Sequence, residues 1–248
     1  YWLTPRVDDP VKFAAQVQDI CDVYAAAPAL HAQGVHVVST DEMTGIQALE
    51  RAAPTLPLRP GAVERREFEY IRHGGTQRHG TQALIANFAV ATGEVVTPSV
   101  GPTRTEADFA AHIAQTVATD PDAEWVIVTD QLNTHQSASL VRLVAARCHI
   151  TDDLGAKEKR GILKSMATRT AFLTDPAHCI RFVYTPKHCS WLNQIELWFS
   201  ILVRKLLRRA SFVSTDDLRD RLLAFIAYFN RTMAKPFKWT YTGRPLPA

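Results

Sequence analysis

Two short runs constrain this chain more than anything else in it: Val35-His36-Val37-Val38-Ser39-Thr40-Asp41 and Trp125-Val126-Ile127-Val128-Thr129-Asp130. Each is rich in β-branched residues and ends on Thr-Asp. A strand apolar at successive positions has no face to give to water, so it belongs inside a sheet covered on both sides. Between the two lies Thr105 to Ala118, which opens with Thr105-Glu106-Ala107-Asp108 and carries Phe109, Ile113 and Val117 along one face. That pattern predicts an amphipathic helix with its own start signal. Strands separated by a helix join as parallel neighbours through a crossover. If these two strands are such neighbours, both acids stand at the carboxyl rim of the sheet, where open α/β sheets bind ligands. Neighbouring strands are under about 5 Å apart, so both carboxylates can reach one cation, and two anions that close invite a divalent metal. Either aspartate alone reads better as a strand-end turn or a helix cap than as a metal ligand.

The rest of the chain supplies partners for these strands. Asp8-Asp9-Pro10 predicts a helix start, with the helix running to about Ala27 and Pro28 and Gly34 bounding the loop after it. Residues 52–63 hold three prolines and a glycine and read as loop. Arg66 to Arg72 and Ala83 to Val90, punctuated by Gly74-Gly75 and Gly80, predict two antiparallel strands. A helix over 136–147 and a strand over Ile180 to Tyr184, closed by Pro186, follow. Two helices finish the chain, Trp191 to Arg209 and Asp216 to Asn230, with the Ser211-to-Thr215 turn between them. The expected fold is α/β, a mixed five-stranded sheet flanked by helices. No apolar run approaches the roughly 18 residues of a membrane span.

Charge is unevenly placed. Residues 181–248 carry 12 Lys+Arg against 4 Asp+Glu, whereas residues 1–180 carry 16 against 21. A basic quarter on an acidic body points to a polyanion partner, nucleic acid being the commonest, or to a solvated helical face. Four cysteines, Cys21, Cys148, Cys179 and Cys189, are too few for a disulfide scaffold and fit a reduced, cytoplasmic chain. Asn230-Arg231-Thr232 matches a glycosylation sequon by chance on that reading. The chain starts at Tyr1 without Met or a signal peptide, and is expected to be a fragment of a longer protein.

The stretch from Tyr184-Thr185-Pro186-Lys187-His188-Cys189-Ser190-Trp191 to Leu192-Asn193-Gln194-Ile195-Glu196-Leu197-Trp198-Phe199 adds a third acid. Leu192, Ile195, Phe199, Leu202 and Leu206 follow the spacing of a core-facing stripe, and Glu196 lies at its edge. A lone Glu among Ile, Leu and Trp is costly unless it is paired or binds a metal. Ser200, Arg204 and Arg208 continue the same row, with Lys205 and Arg209 beside them, so the helix ends in a patch suited to phosphates.

Thr40-Asp41-Glu42, Thr129-Asp130-Gln131-Leu132-Asn133-Thr134-His135 and Tyr184 to Phe199 resemble the three signature blocks of DDE transposases, and are most similar to bacterial insertion-sequence relatives of the mariner superfamily. The likeness spans roughly residues 30–230. It implies a ribonuclease-H-like (retroviral-integrase-like) fold with Asp41, Asp130 and Glu196 as catalytic, metal-binding triad. It further implies Mg2+ or Mn2+, two ions about 4 Å apart, and cleavage of double-stranded DNA at transposon ends with transfer of 3′-ends to target DNA. A homodimer or larger synaptic assembly at the bacterial nucleoid is implied as well. On this reading residues 1–30 are a linker helix leading from a DNA-binding region, residues 31–230 the catalytic domain, and residues 231–248 a basic-aromatic tail. Asn133, His135, Lys187, His188, Ser190, Asn193, Arg204, Lys205 and Arg208 are candidates for holding the acids in place or touching DNA.

Two departures from the family pattern stand out. Gln131 occupies a position that is often Asn. Asp130 and Glu196 are separated by 65 residues, about 30 more than usual, which predicts an inserted excursion near 150–179. Its Ile162-to-Arg169 stretch reads as a basic helix, either a DNA contact or a solvated face. The pairs Cys148-His149, His178-Cys179 and His188-Cys189 flank the excursion and raise zinc as an alternative, without the spacing of a zinc knuckle. Trp191, Trp198, Phe212, Phe229, Trp239 and Tyr241 are candidate base-stacking aromatics of which most are expected in the core, with Lys235 to Tyr241 the segment most suited to DNA contact. The competing readings are a nuclease that never joins strands and a catalytically idle DNA-binding descendant.

Overall fold

The computed structural model describes residues 9–73, 80–187 and 189–241. Five strands form one sheet: β1 (Val35–Gln47), β4 (Thr81–Ala89), β5 (Val95–Gly101), β6 (Glu124–Thr129) and β7 (Ile180–Tyr184). Their spatial order is β5-β4-β1-β6-β7. β1 lies at the centre, antiparallel to β4 and parallel to β6, and β7 extends the parallel side. The mixed five-stranded sheet expected from the sequence is therefore present, and the two apolar strands are parallel neighbours.

One of the two antiparallel strands expected between the apolar runs is a different one. Residues 66–72 do not enter the main sheet: β3 (Tyr70–Arg72) pairs only with β2 (Leu49–Arg51), in a projecting arm whose inner rungs are the Leu56–Arg65 and Arg59–Ala62 bridges. The strand that pairs with β4 on its other side is β5, which contains Thr97-Pro98 and so reads as a turn. Pro lacks a ladder N–H and is tolerated on an edge strand or at a bulge. Both conditions hold, because β5 is the outer strand and its register against β4 shifts between Ile85 and Asn87. Thr97 sits there at φ 45°, and Asn87 Nδ2 donates to Val96 O at 3.2 Å and Thr97 Oγ1 at 3.1 Å.

Helices cover both faces. On one, α2 (Glu106–Val117), α3 (Ala138–Arg147) and α4 (Met166–Leu173) bury Phe109, Ile113, Leu140, Val144 and Leu173 against Val38, Ile127 and Phe182. On the other lie α1 (Pro10–Ala32), α5 (Gln194–Leu202) and α6 (Thr215–Thr232), with Trp198, Leu218 and Leu222 over Leu84 and Phe88. The α1 helix runs through Pro28 rather than stopping at Ala27. Proline removes one helical hydrogen bond, but Ala27 and Leu30 carry the core-facing stripe across it. The predicted 191–209 helix is subdivided into a 3-10 turn at Ser190–Leu192, α5, and a π-helical turn at Val203–Leu207.

The excursion is an ordered part of this fold. A 3-10 turn at Ile162–Lys164 leads into α4, whose N-terminus is closed by a Ser165–Thr168 capping box. Leu163 and Leu173 are buried, Arg169 Nε donates to Gln136 O at 2.7 Å, and Thr170 Oγ1 donates to Gln136 Oε1 at 2.5 Å. Among the described residues, no helix is long and apolar enough to cross a membrane.

Candidate functional site

Pairing of Ser39 with Val128 carries on to set Asp41 level with Asp130, at the rim where β6 ends. Asp41 is 7% exposed. Its Oδ1 accepts the Glu42 N–H at 2.8 Å and its Oδ2 accepts Asn193 Nδ2 at 3.1 Å. The same Asn193 amide donates to Thr40 O at 3.0 Å, and its Oδ1 accepts the Ser39 hydroxyl. Ser39 Oγ accepts the Ile195 N–H at 2.9 Å, and Asn193 O accepts the Glu196 N–H at 3.1 Å. Fully buried Asn193 thus ties the carboxylate of Asp41 to the first turn of the helix that carries Glu196. Tyr24 steadies that turn from α1, donating to Leu192 O at 2.9 Å.

Asp130 is held differently. His135, in the 3-10 turn Asn133–Gln136, is fully buried and approaches Asp130 Oδ1 with Nδ1 at 2.6 Å and Glu42 Oε2 with Nε2 at 2.7 Å. Glu42 also receives Arg104 Nη1 at 3.0 Å. Tyr184 Oη donates to His135 O at 2.8 Å. Burial alone would strip the imidazole of its proton, but the two flanking carboxylates raise it to about 9, so both ring nitrogens donate. Burial pushes Glu42 upward, and His135 and then Arg104 outweigh it, holding the group below the usual carboxylate range. Asp130 is likewise pushed up by burial, and held low by His135 and the Leu132 N–H.

Among the described residues, neither of the other two acids is ion-paired with a cation, and His135 only partly offsets what raises Asp41. Burial first, then the negative charge of Asp130, raises Asp41 to about 7. The same two causes, in the same order, raise Glu196. Asp41 on β1 and Glu196 on α5 therefore each feel the charge of Asp130 at the end of β6, at one rim. This repulsion is the signature of a site suited to an additional cation, and hard oxygen donors suit Mg2+ or Mn2+ better than zinc. Asp41, Glu42 and His135 also place one ligand atom each within 4.8 Å of one another. That trio is poorly suited to a metal, since His135 is protonated and both its nitrogens are engaged.

Beyond the acids, Arg204, Lys205 and Arg208 are exposed on the turn that continues α5. Arg204 and Arg208 line a cavity of about 360 Å³ together with Glu196, Met43, Phe199 and Ser200. Arg204, Lys205 and Arg209 line a second, of about 310 Å³. The basic row and the third acid thus share one continuous surface. Asn133, Lys187 and Ser190 are exposed near the rim, and His188 lies outside the described residues. A larger groove of about 850 Å³ runs along β7 between α1 and α4, and none of the three acids lines it.

Several sequence candidates have other roles. Trp198, Phe212 and Phe229 are core residues. Phe237 stacks on Phe88 at 4.5 Å and Trp239 meets Tyr24 edge-on at 4.9 Å, so two of the tail's aromatics pack inward. Trp191 is 37% exposed and contacts Tyr241 at 5.1 Å. Among the described residues no cysteine belongs to a metal-ligand cluster. The sequence reading missed the roles of Glu42 and Arg104. The Asp41-Glu42 doublet was a usable signal, because alternation sends neighbouring strand side chains to opposite faces, and Arg104 offered none.

A family model described as DDE superfamily endonuclease matches residues 36–219. No curated protein matches the chain. Among solved structures, the Mos1 transposase paired-end complex with left transposon end is similar, with a TM-score of 0.52 at 10% identity over 92% of this chain and 57% of that one. The Mos1 mariner paired end complex with Mn gives 0.51 at 10% identity, over 91% and 57%. The catalytic domain of Mos1 mariner transposase gives 0.50 at 8% identity, over 91% and 85%. Identities this low report a shared fold. The chain spans a little over half the length of the first two proteins.

Proposed function

Since the chain belongs to the DDE superfamily endonucleases, we propose that it is the catalytic part of a transposase, cutting double-stranded DNA at transposon ends and joining the 3′-ends to target DNA. The observation that carries this reading is the convergence of Asp41, Asp130 and Glu196, from three separate sequence blocks, on one rim that continues into the Arg204–Arg208 surface. In this reading the three carboxylates hold Mg2+ or Mn2+, two ions when loaded. Bound metal supplies charge neutralisation at the phosphate and a more acidic attacking hydroxyl or water.

The chain's own residues do the positioning. Asn193 fixes the rotamer of Asp41, and His135 fixes that of Asp130. Because His135 is in turn anchored by Glu42, Asp130 stays ionised and ready to bind a cation. Arg204, Lys205 and Arg208 run beside Glu196 and bind the phosphate backbone, which orients a strand without reading its sequence. The partners in this reading are duplex DNA and a second copy of the chain, with bacterial insertion-sequence DNA as the substrate source. Mos1 structures of the same fold are complexes with a transposon end and with Mn, which supports the choice of substrate and metal.

The test is a plasmid assay with Mg2+ or Mn2+ and a supplied pre-cut transposon end, scoring nicking and joining. Joining should require metal and vanish in Asp41→Asn, Asp130→Asn and Glu196→Gln, while circular dichroism stays unchanged. Joining retained in any of the three variants overturns the assignment, and nicking without joining replaces it with a plain nuclease.

A further inference from the structure

At the pole of the sheet away from the acids, two thiols face one another. Cys148 caps the C-terminus of α3, and Cys179 immediately precedes β7, its carbonyl accepting the Trp125 N–H at 2.8 Å. Their sulfurs are 2.7 Å apart. A disulfide bond is about 2.05 Å long, so a shift of under about 1 Å would close it. The opposite end of β7, at Tyr184, is the one that reaches His135. The cysteine pair is thus separated from the carboxylate rim by the length of a strand.

We propose that Cys148 and Cys179 form a redox modification site, oxidised to an internal disulfide by a small-molecule disulfide, that staples both ends of the 149–178 excursion. One thiolate attacks the reagent's sulfur–sulfur bond and expels one reduced thiol. The second cysteine then attacks the mixed disulfide and expels the other. Two protein thiols are oxidised and one reagent disulfide is reduced to two thiols, which take up the two protons that the cysteines give up. Selectivity follows from burial: Cys148 and Cys179 are half-buried, whereas Cys21 and Cys189 are 5% and 1% exposed beneath α1. The staple suits its place, because α4 is otherwise held by Leu163, Leu173 and its hydrogen bonds to Gln136. The site stands independently of the transposase reading.

The experiment incubates the chain with oxidised glutathione and measures intact mass, free thiols and peptide linkage. The expected product is 2 Da lighter than the reduced chain, with the native protein's four thiols reduced to two and a peptide joining Cys148 to Cys179. Trypsin has exposed targets at Lys157, Lys159 and Arg160. After nicking there, the two fragments should stay joined until a reductant is added. Closing a loop of this length should raise the melting temperature by about 5 °C or more. Cys148→Ser and Cys179→Ser should each trap a single glutathione adduct, and Cys21→Ser should behave as the parent. Four free thiols, stable glutathione adducts on the parent chain, or a bond involving Cys21 or Cys189 would each overturn the proposal.

Discussion

Asp41 and Glu196 reach the rim on different elements, and Asn193 is the residue that spans them, with its amide on one carboxylate and its carbonyl at the start of the other's helix. Groups that orient a metal ligand are commonly worth 10–100-fold in metal affinity. Asn193→Ala should therefore raise the Mn2+ concentration needed for half-maximal cleavage by about 10-fold or more, with the rate at saturating Mn2+ largely recovered. A rate lost at every Mn2+ concentration would mean that Asn193 acts on the substrate itself. The three acids were legible because each stands at the end or edge of an apolar run, where an unpaired charge is expensive. Asn193 was legible as a neighbour of Glu196, but its burial was not. The His135–Glu42–Arg104 chain was illegible for a different reason: its hydrogen bonds cross 93 and 62 positions of sequence, and no local pattern encodes them.

The helical region that follows Glu196 shows what element-level reasoning can and cannot read. Its apolar spacing correctly predicted a core-facing stripe, but the π-helical turn at Val203–Leu207 left no signal in that pattern. Arg204 and Arg208 nonetheless emerge exposed on the cavity that Glu196 lines. Removing one arginine–phosphate pair should lower the salt dependence of duplex binding by about one unit of slope. Arg204→Ala combined with Arg208→Ala should thus flatten the plot of log affinity against log salt by about two, uniformly across DNA sequences, with melting temperature unchanged. An unaltered slope would remove this surface from the DNA path. The β5 strand was missed because Thr97-Pro98 looks like a turn, and only its position at the sheet edge makes it a strand. Residues 66–72 were overread because alternation in an arm mimics alternation in a sheet.

At the scale of the whole molecule, alternating strands and helices were enough to predict a helix-flanked mixed sheet, which is the ribonuclease-H-like arrangement shared with the Mos1 structures. A sheet covered on both faces buries titratable groups, and three of them with large shifts contribute to how stability depends on pH in the metal-free protein. Burial pushes His112 down to about 3, with Glu42 opposing. The unfolded state then holds the extra proton between about 3 and 6.5, and stability falls as pH is lowered through that window. Asp41 acts oppositely: raised to about 7 from 3.8, its stabilising contribution is present at low pH and lost as pH rises to about 7. His135, raised to about 9, contributes stability that is present below 6.5 and lost as pH rises towards 9. Between about 4.5 and 6.5 the first two slopes oppose one another, so these two contributions nearly cancel there, and that of His135 is lost above it. Asp41→Asn removes one side of that balance. Urea unfolding of the variant at several pH values in this window should show stability climbing with pH by up to about 1.4 kcal/mol per unit. Saturating Mg2+ should give the parent protein the same upward slope, because a metal competes with the proton on Asp41. If parent and variant stay parallel across this window, Asp41 carries no extra proton in the folded state, and the repulsion that argues for a cation at the rim is absent.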